Sequence, residues 1–140
     1  MGYAFIDHTA DVAADLSATT LPELFRFAAQ ALMDTITDVG GVHPLVTQAV
    51  TLDAPTIEDL LVDWLNELIY RFEVHNMLVS DASVTIEAAG GRWVLGGTVI
   101  GEMLDPERHA SRVLVKSATY HGLTVREAAP GWTARIVLDI

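Results

Sequence analysis

No cysteine occurs among the 140 residues. That excludes disulfides, thiolate zinc sites and a cysteine nucleophile, and it fits an intracellular chain. Basic residues are scarce: 8 lysines and arginines stand against 19 aspartates and glutamates, a formal net charge of −11. Binding to an RNA or DNA backbone needs the opposite sign, so no tight direct nucleic-acid binding is expected. No apolar run approaches the length of a membrane span, and residues 1–5 show neither a signal-peptide start nor a myristoylation pattern. The expectation is a cytoplasmic protein with no membrane partner. Catalytic signatures are missing too: there is no Gly-rich phosphate loop, no H-E-x-x-H, no G-x-S-x-G and no sequence-local triad. The histidines His8, His43, His75, His109 and His121 lack metal-ligand spacing.

What the chain does have is a globular composition, 51% hydrophobic, with no linker, repeat or low-complexity stretch. One domain over 1–140 is expected. Alternation over 3–6 and 12–18 predicts strands separated by "DHTAD". Thr20 and Glu23 have capping-box spacing around Pro22, so a helix starts there, with Leu21, Leu24, Phe25, Ala28, Leu32 and Ile36 as its apolar stripe and Gly40-Gly41 as its stop. Residues 46–52 read as a strand. Pro55-Thr56 opens a second helix, in which Ile57, Leu60, Leu61, Trp64, Leu65, Leu68, Ile69 and Phe72 form a buried face. Its other face carries Glu58, Asp59, Asp63, Asn66 and Glu67, most simply a solvated surface and secondarily a docking face for a basic partner. Strands are predicted over 78–88, 93–102, 113–121, 123–127 and 132–140, with 105–109 as a polar loop. The fold class is α+β: mostly antiparallel sheet with two amphipathic helices packed on one side.

Two stretches carry unusual charge. In "DHTAD", Asp7, His8 and Asp11 crowd three ligand-capable side chains into five residues. The stretch reads equally as a turn, in which Asp7 and Thr9 bond nearby main-chain N–H groups, or as a ligand site. On a straight strand Asp7 and Asp11 would stand about 13 Å apart, so only one of them is expected to ligate directly. At the other end, "ARIVLDI" keeps strand alternation to its last residue. Ile140 is expected to anchor its side chain in the core and leave its carboxylate beside Asp139. An oxygen-only cluster of Asp11, Asp139 and the Ile140 carboxylate would suit a hard cation such as Ca²⁺, Mg²⁺ or Mn²⁺.

Together, "DHTADV", "TLPELF", "DLLVDWLNELIYRFE", the "GE" before the loop, "KSATYHGL" and the terminal "VLDI" resemble the archease family over nearly the whole chain and in the family's order. The resemblance implies a cytoplasmic accessory protein, not itself an enzyme, that activates an RtcB-type tRNA-splicing RNA ligase. It would promote GTP-dependent guanylylation of the ligase and multiple turnover. It also implies a bound divalent ion, Ca²⁺ first, with Mg²⁺ and Mn²⁺ as alternatives, on Asp11, Asp139 and Ile140. Lys116 is implied in acting on the ligase, with Thr119, Tyr120 and His121 in the motif around it, and Asp7 and His8 as possible accessories.

Two readings from other classes stand beside this one. A stand-alone metal-dependent hydrolase would use the same carboxylates with His8 or His121 as base. A general chaperone or protein-binding module would use the acidic helix face instead. Activity alone, help to unrelated clients, or an effect confined to the ligase separates the three.

Overall fold

Thr20 and Thr56 each hold the start of a helix as their spacing predicts. Thr20 Oγ1 accepts the Glu23 N–H at 3.3 Å, and Thr56 Oγ1 accepts the Asp59 N–H at 3.0 Å. The computed structural model describes residues 1–6 and 11–140. Its elements are β1 (Gly2–Ile6), β2 (Asp11–Ala18), α1 (Leu21–Ile36), a 3-10 turn (Val39–Gly41), β3 (Val46–Ala54), α2 (Ile57–His75), β4 (Met77–Ala89), β5 (Arg92–Met103), β6 (Ser117–Ala128) and β7 (Gly131–Asp139). Among the described residues, no helix is long and apolar enough to cross a membrane.

The strands form two antiparallel sheets, ordered β1-β2-β7-β6 and β3-β5-β4. The expected α+β class holds. In the first sheet Val12, Ala14, Leu16 and Ala18 of β2 and Ala134, Ile136 and Leu138 of β7 face the core, where both helices lie. Leu60, Leu61, Leu65 and Leu68 of α2 are fully buried, each contributing roughly 1.5–3 kcal/mol. Trp64 is also at 0% exposure and its indole N–H donates to the Phe25 carbonyl at 2.9 Å, so the largest buried side chain leaves no unpaired donor. β4 presses so closely on β5 that a Cβ at Gly97 or Gly101 would collide with the main chain of Ser83 or Leu78.

The polar face of α2 departs from expectation. Asn66 Oδ1 accepts the N–H of Ala118 at 2.8 Å, and Arg71, held by Glu67 at 2.9 Å, donates to the Ala49 carbonyl at 3.0 Å. Asp59 accepts from Tyr120. These groups serve the outer edges of β6 and β3, so the face is only partly solvated surface. Sequence periodicity cannot show this, because a polar side chain that caps a neighbouring edge reads like one that meets water.

The predicted pair 113–121 and 123–127 is one strand, β6, whose register against β7 breaks between Thr119 and Thr124. Residues 104–116 instead run without helix or strand from β5 to β6. Glu102, only 5% exposed, fastens this segment. Its carboxylate accepts the His43 N–H at 2.5 Å, pairs with Arg108, and lies 3.1 Å from His109 Nε2. His109, 6% exposed, takes the Asp105 N–H on Nδ1 at 2.8 Å. Burial pushes the Glu102 carboxyl up, but the hydrogen bonds from His43, His109 and Arg108 outweigh it and bring it down to about 2.

A carboxyl held below its ordinary value stabilises the fold above that value and loses its contribution as the pH falls from 4.5 to about 2. Glu102→Gln is therefore expected to lower the thermal midpoint at neutral pH and to flatten the acid limb of the stability profile. Melting curves collected across that pH range check it; an acid limb identical to that of the unmodified protein would exclude the linkage.

Candidate metal centre

Asp11 opens β2 and Asp139 closes β7, and the register places them directly opposite each other, with Ser117 opposite Asp139 from the β6 side. Opposed residues of antiparallel strands share a face, with Cβ atoms roughly 4.5–5.5 Å apart. The next row, Val12, Leu138 and Ala118, turns to the core. The row after it, Ala13, Val137 and Thr119, returns to the carboxylate face. Ala13 and Val137 are buried there at 0% and 1% exposure. Gly122 lies over Val137, since a Cβ on it would come within 3.2 Å of Val137 Cγ2. The carboxylate pair thus borders an apolar floor.

Asp11 is half-buried and Asp139 exposed. Two like charges on one strand face repel unless a cation or hydrogen-bond donors offset them. A divalent cation removes that repulsion, and anionic oxygen is the donor type that Ca²⁺, Mg²⁺ and Mn²⁺ take, so the donor set fits a hard cation. Among the described residues no group of three or more His, Asp and Glu side chains could hold a metal ion. Further oxygens have to come from outside this pair. Asp7 and His8 lie outside the described residues.

The structure sorts the other predicted residues. Ile140 is not the end of the strand: β7 stops at Asp139, and the Ile140 side chain is 39% exposed rather than anchored in the core. On the β6 side the described pairing ends at Ser117, opposite Asp139. Lys116 donates its main-chain N–H to the Asp139 carbonyl at 2.8 Å, which ties the chain's sole lysine to the carboxylate row through the backbone. Its side chain is exposed. Among the described residues six arginines pair with carboxylates, and the Lys116 ammonium does not. Thr119 accepts the His121 N–H at 3.1 Å, forming a local turn at the break in β6. His121 is exposed, and its imidazole does not join the carboxylates in a metal-holding group.

Residues 3–140 match the model of the archease protein family (MTH1598/TM1083). The chain belongs to the archease family. It is 37% identical to the protein archease of Methanosarcina acetivorans over 139 residues, covering 99% of this chain and 95% of that one. It is 36% identical to the Methanopyrus kandleri protein archease over 140 residues, covering 100% of both. The solution structure of Methanobacterium thermoautotrophicum protein 1598 superposes with a TM-score of 0.81 at 28% identity, covering 99% of each chain. The crystal structure of a Thermotoga maritima archease, described as a possible chaperone, shares the fold with a TM-score of 0.59 at 21% identity, over 96% of this chain and 94% of that one.

Within this archease fold, Ser117 is the residue that sequence reasoning did not place, and Tyr120, expected only as part of the motif around Lys116, gains a specific partner. Ser117 enters the carboxylate row only through the β6–β7 register. Tyr120 leaves the ladder at the break in β6 and donates its hydroxyl to Asp59 Oδ1 at 2.6 Å. The hydrogen bond to Asp59, then burial, then the charges of Asp59 and Asp63 push the Tyr120 phenol up to about 12. The bonds from Tyr120 and then Thr56 hold the Asp59 carboxyl below its usual range. Because the phenol is raised, its contribution is complete below 10.0 and is lost as the pH rises through about 12. Tyr120→Phe is expected to delete the most alkaline of the tyrosine steps in an ultraviolet titration and to weaken the hold of β6 on α2. Persistence of that step in the variant would mean that the contact does not form in solution.

Proposed function

We propose that this protein is an accessory that activates an RtcB-type tRNA-splicing RNA ligase, promoting its GTP-dependent guanylylation and multiple turnover, and that it is not itself an enzyme. A divalent cation, Ca²⁺ in the first instance, would be held by Asp11, Asp139 and Ile140. The observation that carries the reading is the direct opposition of Asp11 and Asp139, with Lys116 tied to Asp139 at the same end of the sheet. When bound, the ion supplies fixed positive charge suited to phosphate oxygens. The chain's own residues do the rest. Asp11 and Asp139 neutralise and orient the ion from rigid strands, the β2–β7 ladder keeps their spacing, and Lys116 offers an exposed ammonium that pairs with no carboxylate among the described residues. A surface with net charge −11 suits a basic, RNA-handling enzyme as partner better than RNA itself, and a cytoplasmic setting accords with it.

Guanylylation of the ligase by labelled GTP, with and without this protein, tests the proposal. Lys116→Ala is expected to keep folding stability within about 0.5 kcal/mol, as for other exposed residues, while reducing stimulation. Asp139→Asn should lower cation affinity on the order of tenfold in calorimetric titration, because one anionic oxygen ligand is lost, and reduce stimulation with it. Asp11→Asn should do the same for the same reason. Stimulation that survives all three changes would overturn the reading. Turnover of a phosphoester without the ligase would point to a hydrolase, and equal help to unrelated unfolded clients would point to a general chaperone.

A further inference from the structure

The end of α1 is finished by residues far away in sequence. The last turn of an α-helix leaves four carbonyls without intrahelical partners. Here the Met33 carbonyl takes the Thr37 N–H at 2.8 Å, and the other three are served by the segment that leads into β6. Arg112 Nη1 donates to the Asp34 carbonyl at 2.9 Å and to Asp34 Oδ1 at 3.1 Å. The Val113 N–H reaches the Thr35 carbonyl at 3.1 Å, and the Arg112 N–H reaches the Ile36 carbonyl at 3.0 Å. Helix α1 carries no basic residue in its own last turn, so Arg112 also brings the cation that the negative end of the helix dipole favours.

From this clamp the chain has only four steps to Lys116. Val115 is buried at 5% exposure, and the Lys116 N–H is bonded to Asp139. We propose that Arg112 is a positioning residue for Lys116: by capping α1 it fixes where the segment enters β6, and so where the chain's sole lysine stands beside the Asp11–Asp139 row. The inference rests on the reading of Lys116 given above for its functional meaning, and on the α1 contacts alone for its geometry. Asp34 completes the device. It also accepts the Tyr3 hydroxyl at 3.3 Å and the Val39 N–H at 3.4 Å, so β1, α1 and the segment meet at one carboxylate.

The test uses the full chain with Arg112→Ala and Arg112→Lys. Arg112 is an exposed side chain, and the two main-chain bonds to α1 persist in both variants, so the fold is retained. Hydrogen exchange at the Lys116 N–H and cleavage by a lysine-specific endoproteinase, which has one site in this chain, report on the segment directly. Arg112→Ala is expected to speed both roughly tenfold, the loss of a charge-assisted pair of hydrogen bonds, with the change confined to about 113–118. Ca²⁺ affinity should stay unchanged while ligase stimulation falls, and Arg112→Lys should recover most of the exchange protection and of the stimulation; cleavage is compared only between Arg112→Ala and the unmodified chain, because Arg112→Lys adds a second lysine site. Unchanged exchange and cleavage at Lys116 would overturn the proposal. So would faster exchange spread evenly over both sheets, which is the mark of general destabilisation. If Lys116→Ala leaves ligase stimulation intact, the functional reading of Lys116 fails, while exchange and cleavage still decide whether Arg112 positions it.

Discussion

The N–H of Ala118 and the carbonyl of Ala49 are edge groups of two different sheets, and both are bonded by side chains of α2. Each edge left open would be a row of unpaired main-chain groups ready to template another strand. One helix closes both. Its apolar face, centred on Trp64 and the leucines at 60, 61, 65 and 68, is held in the core between the sheets. Asn66 and Arg71 can reach the two edges only because that burial sets the rotation of the helix. Hydrophobic packing fixes the helix, and the fixed helix makes the polar bonds specific.

The carboxylate row depends on the same order of construction. β7 lies between β2 and β6, so its last residue has a neighbour on each side, and ladder spacing rather than local conformation brings Asp11 and Asp139 together. The core-facing side chains of the next row, Val12, Leu138 and Ala118, hold the register that keeps the two opposed. A one-residue slip would turn every one of those side chains away from the core. The site is therefore as rigid as the hydrophobic face behind it.

The irregular segment 104–116 is anchored by charge where the sheets are anchored by packing. Glu102, Arg108 and His109 hold its beginning, and Arg112 on the end of α1 holds its close. A buried carboxylate such as Glu102 is costly unless fully bonded, and its partners here come from two places in the chain, His43 and the adjacent pair Arg108 and His109. Such a network gives the segment one path rather than several.

Lys116 became a candidate only through the resemblance to the archease family; by pattern alone the sequence determined the element types, the helix starts at Thr20 and Thr56, the antiparallel α+β class and Asp11 and Asp139 as candidates. Those features follow from periods of 2 and 3.6 and from capping chemistry, which act over a few neighbouring residues. Only the tertiary structure decided that Asp11 and Asp139 are opposed, that Ser117 shares their row, that the Ile140 side chain is exposed, and that β6 is one strand broken at Thr119. It alone turned the acidic face of α2 into a partner for β6 and made Arg112 the cap of α1. Each of these joins residues dozens of positions apart, and strand register and edge capping are set by which surfaces the core brings together, a quantity that no local pattern along the chain encodes.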